Sequence, residues 1–264
     1  MSAEPFAMVP LPAGRSRAKP RQRGLTMMMD WGLPLGAQAD WLGLLAPHVD
    51  LAKLVVGTAR LYPEPYLREK LALYARHQVQ PFLGGQFLEY VIATQGMAGV
   101  APYCNEARRL GIEAIEVSDN VVPLDDAQRR DVIRTAVAAG LHVHGEVGSK
   151  SDDSGAETLI AQAEVALEAG ADVVLVEGAE LVRDGRVNDA LLADLRAGLD
   201  VDRVIFELSG PWITGTTLSD VYQLKRFLIE TFGPDVNLAN IMPDQVWETE
   251  TLRAGLSVTG PPTS

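Results

Sequence analysis

From Leu25 onward, short β-like apolar runs alternate with longer amphipathic segments about eight times, and this alternation limits the possible folds more than any other feature of the chain. The runs are Leu25 to Asp30, Asp50 to Val56, Gln80 to Leu83, Ile112 to Ser118, Leu141 to Val147, Ala171 to Glu177, Asp202 to Glu207 and Asp235 to Asn240. Most are nearly continuous in apolar residues, as expected of parallel strands buried on both faces. Between them lie helical patterns such as Pro65 to His77, Asp125 to Ala139, Ala156 to Ala169, Asn188 to Leu199 and Leu218 to Phe232. Gly140, Gly170 and Gly233 close three of these, where a helix turns back toward a strand. Strand-then-helix repeated eight times predicts an α/β fold, a (β/α)8 TIM barrel, as a single domain over residues 24–258. Residues 1–23 are expected to form a mobile basic, Pro-rich arm and residues 259–264 a flexible tail. A doubly wound open sheet is the competing architecture, but no Gly-x-Gly-x-x-Gly follows the first run, which continues into WGLPLG.

Composition narrows the function. No apolar run approaches the ~20 residues of a membrane helix. The chain has 23 Lys and Arg against 35 Asp and Glu, a net charge of −12. Its first 24 residues are basic (Arg15, Arg17, Lys19, Arg21 and Arg23 against Glu4), so the body is more acidic than the total suggests. Such a body repels nucleic acid and anionic membrane; the arm as a nucleic-acid tail is the rival reading of its charge. Any anionic substrate must be met by a few placed cations or a metal. Cys104 stands alone, which excludes an intramolecular disulfide and a cysteine-rich zinc site and suits a reducing cytoplasm. The N-terminal stretch lacks a compact apolar core before a cleavage-like site and does not read as a secretory signal.

Polar residues fall at the carboxyl ends of the runs, the rim on which barrel enzymes build their sites. Asp30 ends the first; Glu116, Ser118 and Asp119 the fourth; Glu146 the fifth; Glu177 the sixth; Glu207 the seventh; Asn240 the eighth. In the fifth run, LHVHGEVGSK, His142, His144 and Glu146 share one face and Lys150 follows just beyond. Carboxylates converging on one rim repel unless protons or a cation intervene. A hard divalent ion, Mg²⁺, is the economical answer, with Glu146, Glu177, Glu207 and Asp30 as candidate ligands. Zn²⁺ on His142 and His144 is the rival, and a hydrogen-bonded core histidine pair is the structural alternative. Lys53 lies within the second run, either aimed inward as a functional cation or snorkelling outward between helices. Gly84 and Gly85, before Gln86, form a turn whose amides could meet an anion.

In order along the chain, RGLTMMMDWGLP, KLVVGT, GGQFLEY, IEAIEVSD, GEVGSK, VLVEG, VIFE and VNLANI resemble the phosphosulfolactate synthase family, from about Arg23 to about Leu256. The resemblance implies a (β/α)8 barrel that uses Mg²⁺ to add sulfite to phosphoenolpyruvate, giving (2R)-phospho-3-sulfolactate, and it extends to heat-stress-associated relatives. It implicates Lys53, Glu89, Ser118, Asp119, Glu146, Lys150, Glu177 and Glu207. The roles expected are catalytic for Lys150, Glu146 and Lys53, with Lys150 protonating carbon 2 and Lys53 holding phosphate or the incoming anion. Ser118, Asp119, Gly84, Gly85, Glu89 and Asn240 are expected to contact substrate. Partners are then small molecules, with homo-oligomerisation the expectation from base rates. The chain departs from the family pattern at Trp31 and Ala179, where lysine and arginine are common, at Asn120, at LSGPWITG after Glu207, and at His142 and His144. Fewer cations leave open a less anionic carboxylic acid substrate, or a stress-associated barrel without chemistry.

Overall fold

A computed structural model describes residues 5–148, 154–183, 186–258 and 260. Eight parallel strands close into a barrel: Thr26–Asp30, Leu51–Leu54, Gln80–Leu83, Ala114–Val117, His142–Val147, Val173–Val176, Val204–Glu207 and Leu238–Ile241. They are called here the first to eighth barrel strands. Neighbours around the wall are neighbours in sequence, and the eighth pairs with the first, so the (β/α)8 expectation holds. Among the described residues the order breaks only for a two-stranded antiparallel hairpin, Val182–Arg183 with Arg186–Val187, which follows the sixth strand and forms a separate sheet.

Side-chain alternation divides the apolar residues into two cores. Met27, Leu51, Phe82, Ala114, Leu175, Ile205 and Ala239 fill the barrel interior. Met28, Ala52, Leu54, Val143, Val174 and Phe206, of opposite parity, pack outward against the helices. Burying a Leu or Phe side chain fully contributes about 1.5–3 kcal/mol, so this outer layer fixes the helices on the wall. The helix Gly155–Ala169 lies especially close to the fifth strand, since a Cβ at Gly145 would stand 2.9 Å from Ala166 Cβ. Capping boxes start the helices Asp126–Ala138 and Leu218–Phe232, with Asp125 and Gln128 in one and Thr217 and Asp220 in the other. Gly140, Gly170 and Gly233, anticipated at helix ends, all have positive φ.

The basic residues of the amino-terminal segment have partners on the barrel. Arg15 binds Glu250 (Nη2 to Oε1, 2.6 Å) and donates to the Gly24 carbonyl at 2.8 Å. Arg21 pairs with Asp50 at 3.0 Å and donates to the Pro47 carbonyl, while Lys19 donates to the Ala46 carbonyl. The basic residues therefore satisfy acids and carbonyl ends at the amino-terminal mouth of the barrel, which is why a basic segment belongs on an acidic body. No described helix is long and apolar enough to cross a membrane.

Candidate active site

The parity that puts Leu51, Ala114, Leu175 and Ile205 inside the barrel also aims the residues two further on inward, at its carboxyl end. These are Lys53, Glu116, Glu177 and Glu207, and Glu146 enters with the same parity from the fifth strand, in register with Leu175. All five are buried. Glu146, Glu177 and Glu207 each offer an oxygen within 4.8 Å of the others. Lys53 does not snorkel outward: its Nζ lies 2.7 Å from Glu116 Oε2 and 3.2 Å from Glu207 Oε1.

Four buried carboxylates thus face one ammonium among the described residues. Burial opposes charging of Lys53, but the pull of Glu116, Glu207 and Glu146 outweighs it and its pKa is raised, so it stays an ammonium at neutral pH. Glu116 is pushed well above the usual carboxyl range, by burial first and then by Glu146 and Glu207, despite Lys53. Two carboxylates 4.8 Å apart repel by about 3.5 kcal/mol at an effective dielectric constant near 20. The cluster is therefore built for protons or for a cation, and a donor set made wholly of carboxylate oxygens suits a hard divalent ion.

The loop after the fourth strand locks this cluster. Glu89, on the helix Gly85–Gln95, receives Ser118 Oγ on one oxygen and the amides of Val121 and Val122, at 2.6 and 2.8 Å, on the other. Glu89 and Ser118, expected to contact substrate, are engaged with each other and the loop. The clamped loop holds Asn120, whose Nδ2 donates to Glu146 Oε1 at 2.6 Å. Asp119 pairs with Arg129 at 2.7 Å, and Arg129 also donates to the Glu146 carbonyl at 3.0 Å. Gly85 gives its amide to Glu116 Oε1 at 3.1 Å, so this helix start meets a carboxylate of the protein itself. A Cβ at Gly85 would stand 2.2 Å from Ser118 Oγ and 2.9 Å from Glu116 Oε1, so a larger residue does not fit. Gly84 backs onto Lys53, with its Cβ position 3.2 Å from Lys53 Cε. Asn240, at the end of the eighth strand, donates to the Leu208 carbonyl at 3.1 Å.

Asp30 is a correction. It ends the first strand, but its parity is that of Met28, so it points outward between strand and helices. There it meets Lys70 Nζ at 2.5 Å and Tyr74 Oη at 2.6 Å, and its other oxygen accepts the amides of Gly32 and Leu33. It does not join Glu146, Glu177 and Glu207. The histidines stand apart from the carboxylates as well: His142 is exposed and pairs with Asp172 at 3.1 Å, while His144 packs edge-on against Phe82. Burial above all pushes His144 down to about 4, so it is neutral. Lys150 lies outside the described residues. Sequence reasoning placed Glu116 on the rim but gave it no role, and treated Asn120 only as a departure.

Residues 14–259 match the family model for (2R)-phospho-3-sulfolactate synthase (ComA). The chain belongs to this family. A phosphosulfolactate synthase from Methanocaldococcus jannaschii is 32% identical over 246 residues, which cover 89% of this chain and 92% of the relative. Protein HEAT-STRESS-ASSOCIATED 32 of Arabidopsis thaliana is 23% identical over 266 residues, 89% of this chain and 87% of the relative. In shape, the chain resembles the YdjI aldolase of Escherichia coli K12, with a TM-score of 0.56 at 12% identity over 86% of this chain and 78% of that one, a likeness of fold alone. As a member of the phosphosulfolactate synthase family the chain is an enzyme of the C–S bond-forming class.

Proposed function

We propose that this enzyme adds sulfite to carbon 3 of phosphoenolpyruvate to give (2R)-phospho-3-sulfolactate, with Mg²⁺ held by Glu146, Glu177 and Glu207. The observation that carries the reading is the convergence of three buried carboxylates at the carboxyl end of the barrel, an oxygen of each within 4.8 Å of the others. Mg²⁺ there supplies Lewis-acid stabilisation of negative charge on the substrate carboxylate. In the reaction the sulfur–carbon bond forms at carbon 3, the carbon–carbon π bond breaks, and carbon 2 takes up a proton. Lys150, which follows the fifth strand in the sequence, is the proposed donor. Lys53 is a poor donor because its carboxylate neighbours hold its proton. Its role is to lower the negative charge of the carboxylate cluster as a whole and to keep a fixed positive charge in an anionic site. Asn120 and Arg129 hold Glu146 in place from its carboxylate and its carbonyl. The test is phosphorus NMR of the protein with phosphoenolpyruvate, sulfite and Mg²⁺. A new phosphate ester is expected, and its absence rules out this substrate pair.

One observation favours a second reading of the substrate. Trp31 and Trp212, from the loops after the first and seventh strands, are 50% and 37% exposed, with ring centroids 6.3 Å apart. An aromatic pair on the rim, where the family pattern has a cation, suits a less charged carboxylic acid. A thermal-shift panel of phosphorylated and unphosphorylated acids with Mg²⁺ decides between them, because a ligand selective for the native state raises its Tm. Stabilisation by phosphoenolpyruvate alone would dismiss the second reading.

A further inference from the structure

Two asparagines bracket the three carboxylates. Glu146, Glu177 and Glu207 come from the fifth, sixth and seventh strands; Asn120 follows the fourth and Asn240 lies in the eighth. Along the wall the order is therefore Asn120, Glu146, Glu177, Glu207, Asn240. Each asparagine donates through Nδ2 to a group that can only accept: Asn120 to the Glu146 carboxylate at 2.6 Å, Asn240 to the Leu208 carbonyl at 3.1 Å. This fixes which way each carboxamide faces, because its oxygen could not stand against another acceptor. Both Oδ1 atoms are buried, and neither has a hydrogen-bond partner among the described residues. Buried acceptors are normally satisfied, so each calls for a donor.

The backbone singles out Asn240. Between the first and eighth strands the register slips from Thr26↔Leu238 to Met28↔Ile241, two residues against three, which is a β-bulge at Ala239 and Asn240. Asn240 sits there with φ +61°, in the left-handed region that glycine occupies without cost. The bulge takes its side chain out of the strand's alternation and across to the seventh strand, where Ala239 is in register with Glu207. Tying down the Leu208 carbonyl accounts for Nδ2; it leaves Oδ1 unexplained.

The identity of the missing donor follows from chemistry. Carboxylate, phosphate and sulfite bring acceptors to this site, so an anionic substrate does not satisfy an asparagine oxygen. Water on a divalent cation does, and a hard ion such as Mg²⁺ retains several waters. A neutral carboxamide gives such waters an acceptor without adding charge to a cluster already overloaded with carboxylates. We infer that Asn240 and Asn120 are positioning residues whose side-chain oxygens receive the waters of a hydrated divalent cation seated on Glu146, Glu177 and Glu207. The inference rests on the metal reading above and replaces direct substrate contact as the role of Asn240.

The test compares Asn240→Gly, which removes the carboxamide and suits φ +61°, with Asn240→Ala, which removes it and keeps the backbone penalty. Mn²⁺ binding is measured by the EPR signal of free ion, without substrate, alongside urea unfolding. Both variants should bind Mn²⁺ about 10–100-fold more weakly; both lose the bond to the Leu208 carbonyl, and Asn240→Ala, which adds the strain of the left-handed backbone, unfolds more readily than Asn240→Gly. Line broadening in ¹⁷O-labelled water should give the same number of waters on bound Mn²⁺ in Asn240→Gly as in the wild type. Wild-type affinity in Asn240→Gly overturns the inference and leaves the metal reading standing. One additional water in that variant also overturns it, by making Asn240 a direct ligand. A wild type that fails to bind Mn²⁺ overturns the metal reading and this inference with it.

Discussion

Replacing Lys53 with methionine removes the one described cation in contact with the carboxylate cluster while keeping most of its volume. Its Nζ stands 2.7 Å from Glu116 and 3.2 Å from Glu207. At an effective dielectric constant near 20, unit charges at those separations attract by about 6 and 5 kcal/mol before desolvation is counted. Breaking a buried pair by removing one partner typically costs ~3–5 kcal/mol. The cost is capped because the stranded carboxylates can take up a proton, and that makes it depend on pH. Without Lys53 the native state binds one proton more than before, while the unfolded carboxylates still titrate near their ordinary value. The sign follows from linkage: a carboxyl whose folded pKa is raised contributes stability at low pH, and loses it as pH climbs toward that raised pKa. One extra proton in the native state corresponds to about 1.4 kcal/mol per pH unit. Between pH 5.5 and 7.5, Lys53→Met should therefore lose about 2.7 kcal/mol more than the wild type over the same range. Urea midpoints in EDTA at three pH values measure this, and Lys53→Met with Glu207→Gln, which removes the other carboxylate in contact with Lys53, should restore the wild-type slope. Parallel pH dependence in wild type and single variant would refute the reasoning, since it would mean that Lys53 does not oppose proton uptake by the carboxylate cluster.

Asp30→Asn should destabilise the fold by ~3–5 kcal/mol, because Lys70 is fully buried against it, and should leave Mn²⁺ affinity unchanged; a tenfold loss of binding would return Asp30 to the site. Glu250, held down to about 2 by His48 and Arg15 against the upward push of burial, contributes stability present above its ordinary pKa of 4.5 and lost as pH falls toward 2. Glu250→Gln should therefore flatten the acid limb of the urea midpoint by up to about 3 kcal/mol between pH 5 and 2, and an unchanged limb would rule out the docking of Arg15 as a stabilising contact. Lys150→Ala should lower kcat by ~10²–10⁴-fold with little change in Mn²⁺ binding, and Lys150→Arg should not rescue it because a guanidinium releases its proton too reluctantly; near wild-type kcat in the arginine variant would remove Lys150 from proton transfer.

The barrel was legible in the sequence because its strands are too apolar for anything but two-faced burial and its helices end at glycines that the turns require. Less legible was the inserted hairpin Val182–Arg183 with Arg186–Val187, two residues a side, which falls below the length at which alternation carries a signal. The contacts of the amino-terminal segment were illegible for a different reason. Proline and scattered basic residues read as a solvated arm, yet Arg15, Lys19 and Arg21 find partners on Glu250, on the carbonyl ends near Ala46 and on Asp50. All of these are far away in sequence, and no local pattern announces them.

The rim shows how far position alone carries and where parity must take over. Counting every polar residue at the carboxyl end of a strand gathered Asp30 with Glu146, Glu177 and Glu207, although strand ends present residues alternately to the two faces. A carboxylate belongs to the interior only if it stands an even number of residues from an interior-facing one. Leu51 leads to Lys53, Ala114 to Glu116 and Ser118, Leu175 to Glu177 and Ile205 to Glu207. Met27 leads to Met29 and Trp31, and so passes over Asp30. The same count from Ala239 passes over Asn240, and there it fails, because the bulge inserts a residue and Ile241 packs outward. An interruption of parity beside three buried carboxylates is the kind of local departure that a strand makes only where a side chain must be re-aimed. Asn240, which position put on the rim and simple parity would turn away from it, is thus the residue here whose backbone most requires a functional reason.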